Sequence, residues 1–108
     1  MKMMTKAIES KLPRIGETEG ISASEIRVRV KYFSPWSNWT WYGTEYDPET
    51  RSFFGFVKGD YPELGYFNLD ELESVDVMPG VPAVERDKVW DDSTTLEEVM
   101  KGGIYGQS

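Results

Sequence analysis

The chain reads as an α+β domain, a mostly antiparallel sheet of four to five strands with short flanking helices. Three observations predict it. Ile26, Val28, Val30 and Tyr32 alternate with Arg27, Arg29 and Lys31, the period of two that marks a half-buried strand. Thirteen of the fifteen aromatic residues fall between Tyr32 and Phe67, and residues 39–57 carry two aromatic runs around Asp47-Pro48-Glu49-Thr50-Arg51, the pattern of a β-hairpin. The helical patterns are brief, and each follows a residue suited to capping.

In chain order, Thr5 caps a short helix with Ile8 and Leu12 on one face, and Pro13 ends it. Residues 14–24 have no periodicity and read as loop. The strand 26–32 follows, and Ser34-Pro35-Trp36-Ser37-Asn38 breaks it, because proline cannot donate to a ladder. Residues 39–46 and 52–57 form the next two strands, with Asp47 bonding the turn backbone and Pro48 at its second position. Strict alternation puts Trp39 and Trp41 on one face of the first of these, in the core, and Tyr42 and Tyr46 on the other. Both faces therefore need cover. Gly43 and Gly55 mark bulges or places where an aromatic ring lies over the backbone.

Residues 63–67 make a short strand. Asn68, with Glu71 three residues on, caps a brief helix whose Leu69 and Leu72 face inward, and Val77-Met78-Pro79-Gly80 ends it. Residues 84–90 read as a last, more polar strand. Thr94 or Thr95 caps a closing helix with Leu96, Val99 and Met100 on its inner face, stopped by Gly102-Gly103. Residues 104–108 are expected to fray.

At 108 residues the chain is one domain, 1–108, long enough to bury a core without staples. Cysteine and histidine are both absent, which excludes disulfides, thiolate chemistry, His-containing triads and the common zinc sites. No metal and no cofactor is expected. The opening Met1-Lys2-Met3-Met4-Thr5-Lys6 has no apolar run, so no signal peptide is expected, and no stretch reaches transmembrane length. The expected location is the cytoplasm, where the sequon Asn38-Trp39-Thr40 would carry no glycan.

The net charge of −7 is unevenly placed. Residues 1–31 hold seven Lys/Arg against four Asp/Glu, and residues 32–108 hold five against fifteen. The acidic body argues against binding to phosphate backbones or anionic membranes and favours a basic protein partner.

The candidate residues divide by chemistry. Glu85 and Asp87 would share a face of the last strand with Arg86 opposite, and two such carboxylates could do acid/base work if burial split their pKa values. The simpler reading is an ion pair. Arg27, Arg29 and Lys31 form a basic stripe that could bind single-stranded nucleic acid, set against cross-strand pairing with Glu45, Asp47 or Glu49. Trp36, in a Ser/Pro/Asn loop, is the aromatic best placed for exposure and for anchoring a partner. The carboxylates suited to steering that partner are Asp47, Glu49, Asp60, Asp91 and Asp92, all in expected turns.

Several ordered motifs also carry a family resemblance: Leu12-Pro13, Val30 through Pro35, Trp39-Thr40-Trp41-Tyr42, Thr44-Glu45, Phe53-Phe54-Gly55, Glu63-Leu64-Gly65-Tyr66-Phe67, Leu69-x-Glu71-Leu72-Glu73 and Pro82-x-x-Glu85-Arg86-Asp87. The chain resembles a small bacterial domain family of unknown function. That resemblance implies carriage on plasmids, phages and integrative elements and implies no reaction. The leading expectation is a non-catalytic interaction protein of a mobile element, one version being anti-defence by acidic mimicry of nucleic acid. The alternatives are a small histidine-free enzyme using Glu85 and Asp87, or a nucleic-acid binder using the basic stripe.

Overall fold

The computed structural model describes residues 2–104; of the expected frayed tail, residues 105–108 lie outside the described range. The elements run α1 (Lys6–Lys11), β1 (Val30–Phe33), β2 (Thr40–Asp47), β3 (Ser52–Lys58), β4 (Pro62–Asn68), α2 (Leu69–Ser74), β5 (Asp76–Met78), β6 (Val81–Pro82), β7 (Glu85–Arg86) and α3 (Leu96–Ile104). A five-stranded antiparallel sheet has the order β4-β3-β2-β1-β7, and β5 and β6 form a separate two-stranded sheet. The fold class is α+β.

The caps form as the residue types dictate. Thr5 Oγ1 accepts from the Ile8 N–H at 3.1 Å, and Asn68 Oδ1 accepts from the Glu71 N–H at 3.2 Å. Thr95 makes a full capping box: its hydroxyl accepts from the Glu98 N–H, and the Glu98 carboxylate accepts from the Thr95 N–H at 2.9 Å. These bonds hold the Glu98 carboxyl below its usual range. In the β2–β3 turn, Asp47 Oδ1 accepts from the Glu49 N–H at 2.9 Å.

A bulge at Thr44 decides the faces of the sheet. The register with β3 slips between Gly43 and Glu45, and the Thr44 hydroxyl donates to the Phe54 carbonyl at 3.0 Å. The extra residue reverses the alternation, so Tyr46 joins the face of Trp41 instead of opposing it, and Glu45 swings to the face of Tyr42. Strict alternation was therefore wrong for this strand. On the first face Phe53 sits at the centre of a ring cluster, 4.6 Å from Tyr46, 4.9 Å from Phe67 and 5.6 Å from Tyr32. Met3, Leu12, Val30, Leu69, Leu72, Ala83 and Val84 complete that core. On the second face Phe56, Tyr42 and Trp90 pack with Ile26, Val28 and Leu96. The aromatic surplus thus supplies two cores, one on each side of the sheet.

The expected strand 26–32 is shorter than its alternation suggests. The Val28 N–H donates to Thr94 O and the Leu96 N–H to Ile26 O, both at 2.8 Å, so residues 26–28 pair with the segment ahead of α3. The chain joins β2 only from Arg29, whose N–H donates to Gly43 O. Ile26 and Val28 accordingly enter the second core, and Val30 and Tyr32 the first. The polar strand expected over 84–90 is reduced to Glu85–Arg86 because the chain turns at Asp87. Residues 76–82, expected only to end a helix, form the β5–β6 hairpin. Nor does α3 stop at Gly102-Gly103; it continues to Ile104, its Leu96, Val99 and Met100 held against Ile26 and Phe56, and packing outweighs glycine's poor helix propensity.

Buried polar tips are paired. The Tyr32 hydroxyl donates to Met3 O at 2.6 Å, and Trp90 Nε1 donates to Val28 O at 2.8 Å. Val30, buried against Phe53, is a direct probe of the first core. Val30→Ala is expected to cost about 1–3 kcal/mol through lost transfer energy and the cavity left behind. An unchanged midpoint in thermal denaturation would contradict this packing.

Candidate functional site

The six residues proposed for partner contact fall in three places. Trp36 and Asp60 meet at the ends of the β1–β2 loop and the β3–β4 turn, where they line a cavity of about 590 Å³ with Ser37, Asn38, Trp39 and Gly59. Asp47 and Glu49 border a separate cavity with Arg14, Ile15 and Pro48. Asp91 and Asp92 lie in the turn before α3. Asp91 accepts from the Ser93 hydroxyl and N–H at 2.7 and 2.9 Å, and Asp92 pairs with Lys11 at 2.8 Å; these bonds hold both carboxyls below their usual range.

Trp36 is 60% exposed. Ser34 and Ser37 shape its loop: Ser34 Oγ accepts from the Trp36 N–H and Ser37 Oγ from the Trp39 N–H, each at 3.2 Å. Trp39, expected in the core beside Trp41, is instead 38% exposed. It tilts against Trp41 at 5.9 Å and lies over Gly59, where a Cβ would come within 2.5 Å of the indole. Its place at the mouth of the strand, beyond the last ladder pair with β1, leaves nothing to bury its outer face.

Trp36 also walls a second, more apolar cavity of about 590 Å³. Its lining comes from four separate segments: Met3, Trp36, Glu73 of α2, and Val81, Pro82, Val84 and Glu85 of the β6–β7 region. Glu73 is held by Arg51 at 3.1 Å, and Arg51 also pairs with Asp70. Arg51 adopts a left-handed backbone with φ 59°, and its carbonyl accepts from the Leu69 N–H, so one residue fastens the β2–β3 turn to the start of α2. An apolar floor, an exposed indole at the rim and two carboxylates in the wall are the features of a groove that takes an apolar side chain flanked by cations.

Glu85 borders the Trp36 groove, whereas Asp87, beyond the end of β7, pairs with Lys31 at 3.8 Å and accepts from the Val89 N–H at 3.0 Å. Arg86 donates from Nε to Lys2 O at 2.8 Å. Of the basic stripe, Arg27 pairs through its backbone with Thr95, and Lys31 lies 5.6 Å from the Trp90 ring and 6.0 Å from the Tyr42 ring as well as pairing with Asp87. Burial, helped by Asp87, pushes the Tyr42 phenol up. The cross-strand partner expected from Glu45, Asp47 or Glu49 is thus replaced, for Lys31, by Asp87.

Glu45 has another role. Turned to the second face by the bulge and only 4% exposed, it accepts from the Gly16 N–H at 2.8 Å, the Thr18 N–H at 2.9 Å and the Thr18 hydroxyl. Gly16 supplies the positive φ of 92° that this loop needs. Among the described residues no three His, Cys, Asp or Glu side chains form a cluster that could hold a metal ion, and no helix is long and apolar enough to cross a membrane.

Residues 3–102 match a family described as protein of unknown function, DUF2958, and the chain belongs to that family. The match runs through α1 and most of α3, beyond the motifs that carry the resemblance. No curated protein and no solved structure matches the chain.

Proposed function

We propose that this member of the DUF2958 family is a non-catalytic interaction protein that binds a basic protein partner in the groove edged by Trp36. The observation that carries this reading is the exposed indole standing over an apolar floor with Glu73 and Glu85 in its walls. Asp60 extends the acidic rim past the indole. The excess of ten negative charges over residues 32–108 supplies the long-range attraction. In the fuller form of the proposal the protein serves a mobile element. There its carboxylates occupy positions that nucleic acid would take on a nuclease or restriction complex.

The proposal has a defined test. Parent, Trp36→Ala and the pair Asp60→Lys with Glu85→Lys are used as baits in host cytoplasm, and the captured partner is then measured by surface kinetics. The charge reversals are expected to slow association about tenfold at low salt. Trp36→Ala is expected to weaken binding by about 2 kcal/mol, mainly through faster dissociation. Should all variants bind like the parent while Glu85→Gln alone abolishes the biological effect, the enzyme reading takes over.

A further inference from the structure

β4 is an outer strand of the sheet, and among the described residues its only strand neighbour is β3. An open edge seven residues long presents unpaired N–H and C=O groups and templates another strand. The usual protections are sparse here. No Lys or Arg occurs between Gly59 and Asn68, Pro62 stands only at the first position, and the register with β3 runs from Ser52–Asn68 to Lys58–Pro62 without a slip. Leu64 and Tyr66 share one face, are 46% and 69% exposed, and help to line an apolar cavity of about 460 Å³ with Ile15, Ile21, Phe54 and Met100.

We propose that a second copy of the chain occupies this edge, the two β4 strands pairing antiparallel about a two-fold axis at Gly65. A two-fold axis requires a strand complementary to itself, and this register provides one. Leu64 of each copy meets Tyr66 of the other, and Glu63 meets Phe67. The two Glu63 carboxylates then stand four residues apart, about 14 Å at strand spacing, beyond the screening length of about 8 Å at physiological salt. A register centred on Glu63 would set the carboxylates face to face and is disfavoured. The pairing joins the two sheets into one of ten strands and makes the apolar surfaces at Leu64 and Tyr66 continuous. It goes beyond the partner reading and uses none of the residues lining the Trp36 groove.

The absence of cysteine makes the register directly testable. A Cβ at Gly65 meets nothing within 4 Å, so Gly65→Cys fits the fold, and at the axis the two thiols fall within disulfide reach. Under mild oxidation Gly65→Cys is expected to give a covalent dimer on non-reducing gels, and Leu64→Cys, which faces Tyr66 of the other copy, is expected to give little. Light scattering at high micromolar concentration should report twice the chain mass for the parent and half that value for the double variant Leu64→Lys, Tyr66→Lys, with its thermal transition retained. If the lysine variant fails to fold, the cysteine pair decides alone. A monomeric parent overturns the proposal, as does a dimer that survives both lysines or cross-linking as efficient at position 64 as at 65.

Discussion

Gly55→Ala is expected to be the most damaging single substitution in the sheet, with a loss of at least about 3 kcal/mol and a thermal midpoint lower by more than about 10 °C. Gly55 of β3 faces Gly43 of β2. A Cβ there would lie 1.8 Å from the Tyr42 carbonyl oxygen and 2.9 Å from its carbon. Both are backbone atoms of a strand paired on each side, so neither can move without disturbing the ladders to β1 and β3. At Gly43 the contacts are side chains, the Phe53 ring edge and a Val30 methyl at 2.9 Å, which can yield partly; Gly43→Ala should cost about 1–3 kcal/mol. Gly65→Ala, in open space, should change stability by no more than about 0.5 kcal/mol. Denaturant unfolding of the three variants orders them. A Gly55→Ala midpoint near that of Gly65→Ala would show that the strands are not this close.

What could be read from the residues was what local chemistry determines. Thr5, Asn68 and Thr95 cap helices because each side chain reaches an N–H only three residues away. Asp47 binds the turn it opens, and the polar loop around Trp36 leaves that indole exposed. What escaped depends on partners distant in sequence. The alternation from Ile26 to Tyr32 looks continuous, yet residues 26–28 pair with the segment at 94–96. The Thr44 bulge leaves no mark on a period-two pattern, and it puts Tyr46 on the face opposite to the one that strict alternation gives. The groove at Trp36 draws on Met3, Glu73, Val81 and Glu85, which no spacing rule connects. Strand spacing offers Glu45, with Asp47 and Glu49, as a cross-strand partner of the basic stripe, whereas its partners are in the 14–20 loop. A lone carboxylate inside an aromatic strand, with glycine and threonine in an otherwise patternless loop, is the signal of an internal partner.

Glu45→Gln carries the second large effect. The carboxylate accepts three hydrogen bonds from the 14–20 loop, two of them from backbone N–H groups. An amide of the same shape keeps one acceptor and points an NH₂ at donors. The expected loss is about 2–3 kcal/mol, the scale of hydrogen bonds to a charged group and of a buried donor left unpaired. Burial alone pushes the Glu45 carboxyl up, but the Thr18 hydroxyl and the N–H groups of Gly16 and Thr18 outweigh it and hold it below the ordinary value of 4.5. A carboxyl depressed in the folded state stabilises fully above its unfolded pKa, and that contribution disappears as pH falls through the folded pKa. The gap in stability between parent and Glu45→Gln should therefore be constant near neutrality and begin to close below about pH 4.5. Ile15, Gly16, Thr18 and Glu19 of this loop wall the cavity beside Leu64 and Tyr66, so release of the loop should also appear as faster proteolysis within it before global unfolding. A gap that widened on acidification, or a loop equally resistant in both proteins, would mean that Glu45 does not anchor it.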